Sequence, residues 1–189
     1  MLKELVEQCR SYRRFYENEP ISTEVLKELV NLARISPTGG NAQPLKFKLT
    51  NTPEENGKVF ETLGWAAALP DWAGPEEGER PSAYITILCD LSIGKNKLQD
   101  NGIASHVIML GAVEKGLGGC IIATVNRKKL SENLNIDTER YSIDLVLALG
   151  KPKETVVMVP VEQDGSTKYY RDSEGVHYVP KRSLEDIII

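Results

Sequence analysis

The chain has 189 residues, 41% hydrophobic and 26% charged, ordinary globular proportions that exclude a disordered or fibrous polypeptide. Its 23 lysines and arginines against 27 aspartates and glutamates leave a formal charge of −4, which argues against a general nucleic-acid or anionic-membrane binder while leaving room for a local basic pocket. A chain of this length predicts one domain over 1–189; Cys9, Cys89 and Cys120 are too scattered for a disulfide framework or a CxxC metal site, and no apolar run is long enough for a membrane span, so a cytoplasmic protein is expected.

Residues 2–9 read as a short helix with Leu2, Leu5, Val6 and Cys9 on one face, followed by the basic run Arg10-Ser11-Tyr12-Arg13-Arg14-Phe15. Ser22 is an N-cap signal, with Glu24 in the first turn and Ile21 and Leu26 at the staple positions. The helix it opens runs through Val25, Leu29 and Ala33 and must end before Pro37. A polar loop follows, Ser36-Pro37-Thr38-Gly39-Gly40-Asn41-Ala42-Gln43-Pro44, and then Phe47 and Leu49 alternate with Lys46, Lys48 and Thr50, as in a strand with one solvated face. Residues 54–64 predict a helix. The long stretch 65–81, with Trp65, Trp72 and three prolines, reads as a loop of a length that points to a functional lid.

Three apolar runs, 83–89, 120–125 and 143–149, are nearly continuous, which predicts strands covered on both faces. Between the first two, 101–113 is apolar on almost every side, with charges only at its ends (Asp100, Glu114, Lys115) and Gly116 placed to terminate it. Such a helix belongs at the centre of a domain or in a subunit interface, and in so small a chain the interface is favoured. Residues 127–134 predict a last helix. A hairpin is expected around Asp164-Gly165, before Tyr178-Val179-Pro180-Lys181-Arg182 and an apolar terminus.

The residues offer no hydrolase or metal constellation: GxSxG, HExxH and P-loop patterns are missing, and His106 and His177 have no partner at ligand spacing, so no catalytic side chain and no metal ligand is assigned. Gly116-Leu117-Gly118-Gly119 precedes a strand, unlike a dinucleotide fingerprint. Arg10, Arg13 and Arg14 around Ser11 read either as an anion site or as a solvated basic turn, and the 37–43 loop either as a set of amides for a heterocycle's edge or as a plain connection.

Taken in order, the 10–15 run, the 36–44 loop, Asp100-Asn101-Gly102-Ile103-Ala104, Gly116-Leu117-Gly118-Gly119-Cys120 and Leu149-Gly150-Lys151-Pro152 resemble the nitroreductase family of FMN-dependent oxidoreductases, over most of the chain. The resemblance implies an α+β, three-layer fold with a central mixed sheet flanked by helices. It also implies an intertwined homodimer with FMN at the interface and the apolar helix at its centre. By the same resemblance Arg10 and Ser11 look like phosphate and ribityl contacts, Arg13 like the basic residue near the flavin pyrimidine ring, and Arg182 like a late basic residue returning to the phosphate. Pro37, Thr38, Gly39 and Asn41, with Gln43 beside them, resemble the loop reaching the flavin from the partner subunit, and Gly118, Gly119 and Cys120 the stretch by the reactive ring.

Members often carry a basic residue where this chain has Cys9, and Arg14 is a candidate substitute; the chain is also short for the family, leaving 65–81 as the lid. The implied chemistry is hydride transfer from NADH or NADPH through flavin N5 to a nitroaromatic, quinone or similar small electrophile, with ping-pong kinetics and no nucleic-acid or membrane partner. The alternatives are a flavin carrier without turnover, or dehalogenation or enoate reduction on the same scaffold.

Overall fold

In the computed structural model, which describes residues 1–94 and 98–189, the three apolar runs become neighbouring strands. β1 (Leu45–Thr50), β2 (Ala83–Asp90), β3 (Gly118–Ile122) and β4 (Tyr141–Gly150) form one sheet in the order β1-β2-β4-β3. Each strand presents alternate side chains to opposite faces. Ile85, Ile87, Leu147 and Leu149 meet Leu26, Leu29, Ile108 and Ala112 on one side, and Tyr84, Leu88, Val146 and Ala148 meet Val59, Leu130 and Leu134 on the other. Every residue of β2 is therefore buried. Each fully buried Leu or Ile stabilises the fold by about 1.5–3 kcal/mol.

The helices that supply the two covers are α2 (Thr23–Ile35) with α4 (Leu98–Glu114), and α3 (Pro53–Phe60) with α5 (Arg127–Leu134); α1 (Leu2–Gln8) lies outside them. Ser22 caps α2 as expected, its hydroxyl accepting from the Val25 N–H at 3.2 Å. Gly111 sets the contact of α2 with α4: a Cβ there would come within 2.3 Å of Leu32. Among the described residues, no helix is long and apolar enough to cross a membrane.

The α+β class and the three layers agree with the sequence reading, but the pairing is distributed differently. The central sheet is antiparallel throughout. The mixed pairing lies in a small second sheet of β5 (Val156–Pro160), β6 (Tyr170–Arg171) and β7 (His177–Lys181), where β7 runs parallel to β5 and antiparallel to β6. Asp164-Gly165 separates β5 from β6, and these two do not pair, because β7 inserts between them. The hairpin joins β6 to β7 instead, at a turn where the Asp172 carboxylate accepts from the N–H groups of Glu174 and Val176 at 3.0 and 2.9 Å.

One irregularity interrupts β4. Ile87 pairs with Leu145 and Leu88 with Ile143, so Asp144 is the extra residue of a β-bulge. Ile143 and Leu145, two positions apart, consequently enter opposite cores. The Asp144 carboxylate accepts from the Asn101 amide of α4 at 3.2 Å and from the Ser142 hydroxyl at 3.3 Å.

Candidate functional site

The basic segment is laid along the outer edge of β3. Ser11 bridges to Gly119, and the Tyr12 N–H donates to the Gly119 carbonyl at 2.9 Å. So close an approach requires the glycines: a Cβ on Gly118 would stand 2.6 Å from the Tyr12 ring, and one on Gly119 2.3 Å from the Ala148 carbonyl oxygen. Cys120 follows them, buried, and burial pushes its thiol above the usual range while Arg13 and a bond from Ser11 pull it partway back.

Arg13, only 8% exposed, is the most enclosed cation of the segment. Its main-chain N–H donates to the Glu154 carboxylate, and its guanidinium reaches the Ser11 carbonyl at 3.1 Å and His177 Nε2 at 3.3 Å. The same guanidinium lies 4.8 Å from the centre of the Tyr169 ring. Burial, with Arg13 and Arg171 nearby, holds His177 down at about 4, so the ring is neutral at neutral pH. A neutral ring accepting at Nε2 carries its proton on Nδ1.

Beside this cluster is a cavity of about 250 Å³ lined by Cys9, Arg10, Ser11, Arg13, Tyr169, His177, Val179 and Lys181. Among the described residues, three cations and no carboxylate face it. Arg10 spends its donors poorly: one amine donates to the Val6 carbonyl at 2.7 Å, the other meets the Met158 sulfur at 3.1 Å, and buried Nε has no partner. A thioether is a weak acceptor, so this guanidinium retains capacity for an anion.

Arg14 does not replace the cation missing at Cys9. Its guanidinium is held bidentately by Glu79 at 2.5 and 2.6 Å, and Lys153 is 2.9 Å from the same carboxylate, which is thereby held down at about 2. The third cation of the cavity is Lys181, which also lines a second cavity, where Arg182 joins it with Met158, Glu162 and Asp186. Period-two alternation is the signal for Lys181: in a strand 177–181, His177, Val179 and Lys181 share a face.

The 37–43 loop is made differently. A single 3₁₀ turn, Gly39–Asn41, sits in it, and Gly40, Asn41 and Gln43 all have positive φ, 58°, 54° and 52°. Such backbone is uncommon outside glycine and is held here by few contacts. The Gly39 N–H donates to Asp100 Oδ1 at 2.8 Å, and the Gln43 amide donates to Asn41 Oδ1 at 3.2 Å. Pro37, Thr38 and Gln43 line a cavity of about 450 Å³ together with Lys27, Arg34 and Asp100.

The expected site residues thus fall into two groups. Arg10, Ser11, Arg13, Gly118, Gly119 and Cys120 come together at the β3 edge, and Pro37, Thr38, Gly39, Asn41 and Gln43 come together beyond the β1 edge. Asp100 begins α4 and Gly118 follows its end, so the groups are separated by the length of a helix of 17 residues, roughly 25 Å. The outward side of α4 between them remains uncovered, with Ile103 37% exposed and Val107 and Leu110 partly so; His106, also exposed, shares this stretch.

The family model described as "Nitroreductase family" matches residues 6–80, which include both the arginine segment and the 37–43 loop. A protein of Archaeoglobus fulgidus with the provisional name NADH dehydrogenase/NAD(P)H nitroreductase is 28% identical over 149 residues, 75% of this chain and 80% of its own. A solved nitroreductase family protein of Streptococcus pneumoniae TIGR4 superposes with a TM-score of 0.71 at 15% identity, over 100% of this chain and 99% of that one. The chain is thus similar to the nitroreductase family in sequence over residues 6–80 and in fold over its whole length. Another solved structure, a provisionally named nitroreductase of Exiguobacterium sibiricum in complex with FMN, has a TM-score of 0.68 at 20% identity and covers 81% of this chain and 89% of that one. The nitroreductase model ends before Glu154, Tyr169, Arg171, His177 and Lys181, the residues that enclose Arg13 and complete the basic cavity.

Proposed function

We propose that the protein is an FMN-dependent oxidoreductase that takes hydride from NADH or NADPH and delivers it to a nitroaromatic, quinone or similar small electrophile, the two substrates using one site in turn. The observation that carries this reading is the cavity that faces Arg10, Arg13 and Lys181 with no carboxylate among the described residues and with a buried Arg10 Nε lacking a partner. A phosphate monoester carries about −1.5 to −2 charges near neutral pH and matches that surplus. The name of the Archaeoglobus fulgidus relative and the FMN complex of the Exiguobacterium sibiricum protein support the assignment.

Bound FMN would supply the redox chemistry, accepting hydride from a nicotinamide and passing it on. Arg10, Ser11 and Lys181 would hold the phosphate end. Arg13, fixed in a largely dry setting, would stand by the pyrimidine edge, where a guanidinium stabilises the negative charge that gathers on reduction. No protein nucleophile is required, in keeping with the protonated Cys9 and Cys120, whose thiols are both pushed up by burial.

About 250 Å³ is less than the ~300–1,000 Å³ of a complete ligand pocket, so the cofactor needs a second wall. In an isologous pair packed through the uncovered side of antiparallel α4 helices, the start of one helix lies beside the end of the other. The 37–43 loop of each copy would then meet the arginine cavity of the other, giving two sites per dimer.

The test is an absorbance spectrum of the purified protein, followed by NAD(P)H oxidation with a quinone after FMN saturation. Flavin bands and parallel initial-rate lines are expected. A colourless protein that takes up no added FMN would refute the assignment, and a yellow one that leaves NAD(P)H intact would be a flavin carrier.

A further inference from the structure

Besides the Glu79 clamp on Arg14, the 65–81 loop is joined to Arg13 by two side-chain routes, neither of which involves a direct contact. Along the first, the Trp72 ring lies 4.3 Å from the Arg171 guanidinium, which donates to Glu154 Oε2 at 2.8 Å. The other Glu154 oxygen accepts the Arg13 main-chain N–H. Along the second, the Ala68 N–H donates to the Tyr169 hydroxyl at 3.2 Å, and the Tyr169 ring carries the Arg13 guanidinium. Tyr169 and Arg171 are two apart, so they leave the chain on the same side.

The burial of this chain of contacts gives it stiffness. The Glu154 side chain is wholly buried and that of Arg171 is 15% exposed. Arg171 Nε is buried without a partner, so the guanidinium is anchored by Glu154 on one side and by the Trp72 ring on the other. A guanidinium over a tryptophan face is attracted by the ring quadrupole, more strongly when partly desolvated. Removing the ring would leave Arg171 with one anchor, and Glu154 with a less certain grip on the Arg13 backbone.

We infer that Trp72 and Arg171 are positioning residues through which the 65–81 loop sets Arg13 against the cofactor site, so that the preference of the protein for reduced over oxidised flavin depends on a loop that touches neither Arg13 nor the cavity. This deepens the flavin reading and rests on it.

The experiment measures dissociation constants for oxidised and reduced FMN in wild type, Trp72→Ala, Trp72→Phe, Arg171→Met, Arg13→Met and the Trp72→Ala/Arg13→Met double variant, with circular dichroism as the check on folding. Trp72→Ala and Arg171→Met are each expected to lower the reduced-over-oxidised affinity ratio by roughly three- to thirtyfold. Trp72→Phe keeps a ring face and restores the wild-type ratio, and on the Arg13→Met background Trp72→Ala adds less than about twofold. A Trp72→Ala ratio within about twofold of wild type overturns the inference, as does a full, additive effect on the Arg13→Met background. If Arg13→Met holds no flavin, the contrast between Trp72→Ala and Trp72→Phe decides. A wild-type protein that binds no FMN sinks the flavin reading and this inference together; flavin binding that the loop variants leave unchanged sinks this inference alone.

Discussion

Arg13 and Gln43 stand at the two ends of α4 and show how differently the halves of one proposed site are made. Around Arg13 the chain closes on itself: Glu154, Ser11, His177 and Tyr169 all engage it, and it is 8% exposed. Gln43 and Asn41 stand in solvent in left-handed backbone, in a loop that is hydrogen-bonded to α4 from Gly39 to Asp100. The arginine half is fixed by its own chain around Arg13 and keeps spare donors on Arg10 for an anion. A half with exposed amides and unusual backbone has groups prepared for contacts that its own chain does not provide.

The largest expected effect comes from keeping the halves apart. Leu110→Glu places a charge on the uncovered side of α4 and should yield a folded monomer in sedimentation velocity, with FMN affinity lowered by more than about a hundredfold, the scale of an unpaired charge at a buried contact. A folded monomer that binds flavin as wild type does would show that the halves never meet.

Arg10→Ala tests the arginine half alone. Loss of a hydrogen bond to a charged group costs roughly 1.5–3 kcal/mol, so flavin fluorescence titration should show affinity falling about ten- to a hundredfold, while Lys48→Ala, on the solvated face of β1, changes little. Equal dissociation constants for the two variants would remove Arg10 from the site.

A smaller effect is expected in stability. The Glu79 carboxylate, held by Arg14 and Lys153, sits at about 2 against an ordinary 4.5. A depressed value in the folded state stabilises the fold above the unfolded value, and this contribution fades as the pH drops from about 4.5 towards about 2. The full displacement corresponds to ~3 kcal/mol, which solvent screening at this partly wetted site reduces to about 1–2 kcal/mol. Urea denaturation should find Glu79→Gln less stable than wild type by that amount at pH 7 and nearly equal to it at pH 2; a gap independent of pH would contradict the ion-pair origin.

The smallest effect belongs to Cys120→Ser. With its thiol pushed up by burial, turnover of the FMN-saturated variant should change by less than about tenfold. A loss beyond about a thousandfold, ~4 kcal/mol of barrier, would require a reactive thiolate.

Much of the fold could be read locally. The Ser22 cap, the stop before Pro37 and the α5 helix at Arg127–Leu134 depend on neighbours within a few residues, and the structure agrees with each. The runs 83–89 and 143–149 reported covered strands correctly, whereas in 120–125 the edge strand β3 stops at Ile122 and Ile121 is 42% exposed; none of the runs carried strand direction, because burial of both faces leaves the same pattern in parallel and antiparallel sheets. The surroundings of Arg13 were not legible: Glu154 and His177 are 141 and 164 positions away from it, and nothing local marks either as its partner. Lys181 was within reach, since strand alternation from His177 points to it rather than to Arg182.

The bulge at Asp144 has a genetic consequence. Deleting that one codon would set Ile143 directly before Leu145, and strict alternation would then keep each in the core it already enters, with Ile143 still opposite Leu88. Substitution and removal of Asp144 would alike cost the chain a bond to Asn101, and removal would also take away the local bend of the bulge while the inside and outside of the strand are kept. The residue is an insertion that the strand carries without a change of face, and lineages of this protein should accept the loss of this position far better than the loss of one residue from β2, where every side chain beyond the gap would change face.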